Sequence, residues 1–179
     1  MITHQRIEVI PLEEGLSLIP SGYDRSLLEL SLRRPLRVAM LRHAGCIFCR
    51  AHLEQLAACQ TELSARGEQL VLVSTSPAAE LAPLAQRYGL NDVMIVSDPR
   101  RVLYRALDLR RMSAADLPYG MLDLWAAIGQ GWLLKHGLTL TRSDLGQLHG
   151  VALIARGQLQ SLRRARYASE PCQLTAAIE

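Results

Sequence analysis

From Leu36 to Arg42 the chain is apolar at nearly every step, which predicts a strand buried on both faces. After the turn His43-Ala44-Gly45-Cys46 the period changes. Leu53, Leu56, Cys59 and Leu63 recur at three- and four-residue steps, predicting a helix over 47–65 that Arg66-Gly67 ends. A second buried strand follows over 69–75, and Ser76-Pro77 opens a helix over 78–88 that Gly89 closes. Residues 93–96 predict a third strand. Asp98 then reads as the N-cap of a helix over 100–107, with Pro99 at its first position. Further on, 150–155 and 158–166 predict two strands joined by a tight hairpin at Arg156-Gly157, with a last helix over 170–178.

Strands alternating with helices imply right-handed crossovers and a sheet covered on both faces. The order βαβ…αββα, with one extra central strand–helix unit, predicts an α/β protein of thioredoxin-like fold: a central mixed sheet flanked by helices. One domain over 1–179 accounts for the length. Residues 1–35 read as an approach segment, with a short strand over 7–12, a turn at Pro20-Ser21-Gly22 and a helix over 25–32 capped by Asp24. Residues 108–147 are too many for a simple loop and predict a helical insertion. Within it, Met121, Trp125, Ile128 and Trp132 mark a helix or helix pair over 119–136, ended by Gly137, with both tryptophans packed on the core.

Composition narrows the function classes. Hydrophobic residues make up 49% of the 179 and charged ones 21%, a globular balance. The net charge of +3 is small. Its arginine pairs (Arg33-Arg34, Arg100-Arg101, Arg110-Arg111, Arg163-Arg164) fall in separate segments, so no nucleic-acid partner is expected. The first residues lack the apolar run of a signal peptide, and 121–134 is too short and too interrupted to span a bilayer. The expectation is therefore a cytoplasmic protein with no membrane partner. Four cysteines in a reducing compartment do not make a disulfide framework, and a close C-x-x-C pair there is redox-active or metal-binding.

Cys46 and Cys49 form that pair, placed after a buried strand and a glycine turn, at the start of an amphipathic helix. A thiol there faces free backbone N–H groups and the positive end of the helix dipole, both of which favour thiolate. Cys46 is the candidate attacking thiol. Cys49, one turn on, is placed to attack the mixed disulfide or sulfenic acid that results. Arg42 and His43 are supporting candidates around the thiolate, and Arg50 flanks the pair, although surface charge also explains both arginines. The competing reading is metal: His43, Cys46, Cys49 and His52 spell H-x-x-C-x-x-C-x-x-H, a zinc-type donor set. Otherwise His52 is an exposed helix residue and His43 a loop residue. Cys59 shares the apolar face with Leu56 and Leu63, whereas Cys172 reads as structural or free, with a distant resolving role open.

The stretch from Leu36 to Leu56, with its Arg-His-x-x-Cys-x-x-Cys centre, resembles the peroxiredoxin-like proteins of the AhpC/TSA superfamily, nearest the selenoprotein-L-like or peroxiredoxin-like-2 branch. The similarity continues through Val71-Leu72-Val73-Ser74, Ser97-Asp98-Pro99, Leu103 to Leu107 and Gly150 to Ile154, covering about 36 to 165. The 108–147 insertion also looks like that branch. The resemblance implies an antioxidant peroxidase or thiol–disulfide reductase. The chain departs from the peroxiredoxin P-x-x-x-T-x-x-C motif, with Ala39 for the proline and His43 for the threonine, and His149 falls where a strand arginine stands. No thioredoxin-type proline precedes the penultimate strand.

The leading expectation is an oxidoreductase cycling Cys46 and Cys49 between dithiol and disulfide. It would use a peroxide or protein disulfide as oxidant, thioredoxin or glutathione as external reductant, and no bound cofactor. A homodimer is open. The alternatives are a redox-sensing or interaction module built on the tryptophan-bearing insertion, and a zinc-stabilised binding domain.

Overall fold

The computed structural model describes residues 10–139 and 144–172. Its centre is a five-stranded sheet of order β3-β2-β1-β4-β5, built from β1 (Leu36–Leu41), β2 (Gln69–Ser74), β3 (Met94–Ser97), β4 (Gly150–Ala155) and β5 (Gln158–Arg164). The first three strands are parallel, while β4 runs antiparallel to both β1 and β5. Arg156 and Gly157 both have positive φ, 54° and 73°, which a two-residue hairpin of right-handed twist requires.

Alternation along the strands sorts two cores. Val38, Met40, Val71, Val73, Ala152 and Ile154 face one side, packed on α1 (Leu12–Leu16), α2 (Leu27–Arg33) and α5 (Val102–Ala106). Ala39, Leu41, Leu72, Ile95 and Val151 face the other, under α3 (Ile47–Ala65) and α4 (Ala78–Arg87). All six residues of β1 are buried, as a central strand covered on both faces demands. One charged side chain in β1 is tolerated because Arg37 forks onto the Glu68 carboxylate at 2.8 and 3.1 Å.

The predicted insertion is a 3-10 turn (Ala114–Asp116) followed by two helices, α6 (Leu117–Gly129) and α7 (Trp132–His136). Its tryptophans part company. Trp132 packs edge-on against Phe48 of α3 at 6.2 Å, whereas Trp125 is 68% exposed. Among the described residues no helix is long and apolar enough to cross a membrane.

Several predicted starts move. Ile10 and Pro11 are not strand and Leu12 begins a helix, while residues 7–9 of the expected strand lie outside the described residues. Ser26, not Asp24, caps α2, because Glu29 three residues on completes a capping box with it. The helix after β3 starts at Val102, not Arg100. Arg101 is left-handed (φ 58°), and the buried Asp98 carboxylate reaches past it to the N–H groups of Val102 and Leu103, each at 2.9 Å. The hairpin's second strand ends at Arg164, and 170–172 is irregular, the rest of the expected last helix lying outside the described residues.

Candidate redox site

Cys46 is the N-cap of α3, a 19-residue helix, so its sulfur sits where the backbone N–H groups of Phe48 and Cys49 favour a negative charge. The Cys46 pKa falls to about 6, first because the Cys49 thiol donates a hydrogen bond to it, and then because of the Arg42 charge and these amides, all working against burial. Cys49 moves the other way: burial and the proton it shares with Cys46 raise its pKa well above the ordinary thiol range. One member of the pair is thus held as thiolate and the other as thiol, which is the division of labour that attack and resolution need. Both thiols are free in the structure.

Arg42 touches both sulfurs. Its backbone N–H donates to Cys49 Sγ at 3.2 Å, and Nη1 donates to Cys46 Sγ at 3.4 Å. The guanidinium is aimed from the far side of the chain: Nε donates to the Gln147 carbonyl at 2.9 Å, and Nη2 to the Leu145 carbonyl at 2.6 Å and Met112 Sδ at 3.3 Å. The Gln147 amide is in turn fixed on the carbonyls of Leu109, Arg110 and Leu148. The base of the insertion therefore orients the arginine. Nothing at the sequence level marks these carbonyls, which lie some hundred residues from the arginine they hold.

Arg50, which the sequence allows as surface charge, is buried as Arg42 is. Its fork ties α3 to α7 and the chain beyond: Nε donates to the Ala44 carbonyl, Nη1 to the His136 carbonyl at 2.9 Å and Nη2 to Thr139 Oγ1 at 2.6 Å. It acts on the scaffold and not on the thiolate. His43 is a loop residue but a buried one, and burial drops its pKa to about 4, so it adds shape and no charge.

His52 is not exposed. It is buried beside His149, ring centroids 4.3 Å apart, with Nε2 on the Glu170 carbonyl at 3.0 Å. Burial lowers its pKa to about 3 and that of His149 to about 4. The zinc reading fails on placement: among the described residues no three metal-ligating side chains converge, and His52 turns toward His149 and residue 170.

Cys46 borders an apolar cavity of about 290 Å3 lined also by Phe48, Met112, Met121, Leu124, Leu138, Leu145 and Ala168, with Arg42 and His43 among its polar lining. Cys46 itself is 4% exposed. Most of that wall comes from the insertion.

A mixed sheet of this order, with a cysteine capping the helix after its central strand, is a thioredoxin-like fold, and solved peroxiredoxins share it. The solved structures it superimposes on include peroxiredoxin Q of Xanthomonas campestris in a cysteine-to-serine mutant form, at 18% identity and TM-score 0.62 over 89% of this chain and 87% of that one. Reduced Prx3 of Vibrio vulnificus in complex with H2O2 matches at 14% identity and TM-score 0.59, over 84% and 83%. The bacterioferritin comigratory protein of Xanthomonas campestris, described for its alkyl peroxide reduction activity, matches at 16% and 0.61, over 89% and 86%. No protein-family model and no curated protein sequence matches the chain.

Proposed function

We propose that the protein is a thiol-dependent peroxidase in which Cys46 is the attacking thiolate and Cys49 the resolving thiol. The observation that carries this reading is the contrast across the pair: a Cys46 thiolate held by Arg42 and by the Cys49 thiol, bordering an apolar cavity. Cys46 attacks the distal oxygen of a hydroperoxide, the O–O bond breaks, and the alcohol leaves with one proton while Cys46 becomes a sulfenic acid. Cys49 attacks that sulfur, water leaves, and the disulfide forms. Two equivalents of an external thiol, such as thioredoxin or glutathione, return the pair to the dithiol.

Access favours a peroxide over a protein disulfide. A cysteine 4% exposed and bordering a cavity is within reach of a small hydroperoxide, whereas attack on a protein disulfide needs an open thiol. The apolar wall suits a hydroperoxide with a hydrocarbon substituent, and two of the matched structures are associated with hydrogen peroxide and with alkyl peroxide reduction. A second reading, a redox-switched interaction module, draws on the exposed apolar side chains of α6 and α7, among them Leu122, Trp125 and Leu134.

The test is steady-state turnover with a thioredoxin or glutathione reducing system, comparing an organic hydroperoxide, hydrogen peroxide and an insulin disulfide. Sustained peroxide-dependent consumption of reductant, lost in Cys46→Ser, is the expected result. A single equivalent oxidised without turnover selects the switch. Faster reduction of insulin than of either peroxide overturns the assignment.

A further inference from the structure

The two remaining cysteines belong to one core cluster. Cys59 lies in the middle of α3, half-buried against the same core cluster that holds the buried Cys172. Gln55, one helical turn before Cys59 and on the same face, accepts the Cys172 backbone N–H on Oε1 at 3.1 Å. Cys172 therefore docks on the strip of α3 that carries Cys59, and burial, with the neighbouring Cys59 second, pushes the Cys172 pKa up to about 12. Cys172 lies in a segment along α3 that is pinned at two more points and braced within itself at a third. The Arg166 N–H donates to Glu170 Oε2, Ser169 Oγ donates to Asp123 Oδ2 of α6 at 2.5 Å, and the Glu170 carbonyl meets His52. Ala168 in this segment lines the Cys46 cavity.

We propose that Cys59 and Cys172 are a second, slower redox pair whose disulfide fastens the 165–172 segment, and with it one wall of the Cys46 cavity, to α3. The oxidant is a hydroperoxide. The half-exposed Cys59 thiol takes its distal oxygen, giving a sulfenic acid and an alcohol or water. Cys172 then attacks the Cys59 sulfur, the S–O bond breaks, and water leaves with the Cys172 proton. Two sulfurs are oxidised by one electron each, and the peroxide is reduced by two. A buried thiol held protonated attacks slowly, so this disulfide trails the Cys46–Cys49 one and accumulates only under sustained oxidant.

Arginine spacing makes the two pairs separable in the unmodified protein. Trypsin releases Cys46 and Cys49 together on 43–50, Cys59 on 51–66 and Cys172 on 167–179. The full chain is exposed to hydrogen peroxide, and in parallel to the diazene oxidant diamide, which takes two hydrogens from a dithiol without any peroxidase chemistry. Remaining thiols are alkylated before denaturation and the peptides mapped without reduction. The expected product is a 51–66/167–179 crosslinked peptide two hydrogens lighter than its parts, appearing roughly tenfold or more slowly than the 43–50 internal disulfide. Amide exchange across 165–172 falls once it has formed. The diamide arm works even if peroxidase turnover is absent, so it does not depend on the catalytic assignment. Cys59 ending as a sulfinic acid or a small-thiol adduct, either cysteine pairing with Cys46 or Cys49, or both remaining thiols while 43–50 oxidises fully would each overturn the proposal.

Discussion

Arg42 Nη1 lies 3.4 Å from Cys46 Sγ, while the backbone N–H of the same arginine donates to Cys49 Sγ at 3.2 Å. One residue at the end of β1 thus fixes the geometry of both thiols. The guanidinium can do so because its other two nitrogens are occupied by carbonyls at the base of the insertion.

The first prediction ranks the causes of Cys46 acidity. The Cys49 hydrogen bond is the largest and the Arg42 charge smaller. Cys49→Ala should therefore raise the Cys46 pKa more than Arg42→Lys, which keeps a positive charge but loses the fork. Cys49→Ser, retaining a donor, should change it least. The expected rise is on the order of one pH unit for the lysine variant. The pH dependence of iodoacetamide alkylation measures it, and equal effects in all three would remove the hydrogen bond from the account.

A pH profile of activity follows from the same values. With the Cys46 pKa near 6, the thiolate fraction and the peroxide rate should rise through pH 6 and level off by about pH 7.5. An unperturbed thiol would still be climbing at pH 8.5. The profile is read from kcat/KM for peroxide under saturating reductant.

The cavity wall makes a substrate prediction. Leu124 and Met121 come from α6 and line the space beside Cys46 without touching Arg42 through any hydrogen bond. Leu124→Asp should lower kcat/KM for a bulky organic hydroperoxide by about tenfold, because burying alkyl carbons against a carboxylate forfeits roughly 0.8 kcal/mol for each CH2. The rate with hydrogen peroxide should change little. Equal losses on both substrates would mean that the substitution acts through the thiol.

How far these features could be read in advance depended on how local they were. The strands and α3 follow from short-range periodicity, and the Cys46–Cys49 pair from its place in it. Burial of Arg50 and His52 was not legible, since the first turns of α3 are enclosed on all sides. The sheet lies beneath, α7 covers Arg50, and the 165–172 segment covers His52. A helix enclosed all round shows no polar stripe, so its charged residues read as solvated. Asp98 shows the same limit at a cap, because the motif was visible while the left-handed Arg101 that delays the helix was not. Trp125 and Trp132 carry the same sequence signal and differ only in which side of the insertion meets α3.

Acid sensitivity follows from three buried imidazoles. His43, His52 and His149 have folded pKa values near 4, 3 and 4, below the ordinary 6.5. The unfolded chain binds their protons first, so their contribution is full above pH 6.5 and is lost as pH falls toward 4. The melting temperature should drop on the order of 10 °C between pH 7 and pH 4.5. Among the described residues neither ring nitrogen of His149 meets a partner in good hydrogen-bond geometry, the Glu170 carbonyl acting on it only enough to offset part of the burial. His149→Phe should therefore flatten that slope with little harm at pH 7. A slope unchanged in the variant would move the acid sensitivity to the carboxylates.

The turn before Cys46 makes the last prediction. The Thr139 carbonyl rests where a Cβ on Gly45 would stand, and the Thr139 N–H donates to the Gly45 carbonyl at 3.2 Å. Arg50 holds the same place from the other side, on Thr139 Oγ1 and the His136 carbonyl. Gly45→Ala must therefore push the chain after α7 off the turn. That movement costs about 1–3 kcal/mol and carries Leu138 away from the cavity it lines. The Cys49 thiol and the Arg42 guanidinium are held elsewhere, so the Cys46 pKa should stay near 6 while the thiolate becomes more open. Reaction with a bulky disulfide such as Ellman's reagent should speed up several-fold at every pH, with no change in the midpoint of its pH profile. If the rate rises only through a shifted midpoint, Gly45 serves the electrostatics of the thiol and not the closure over it.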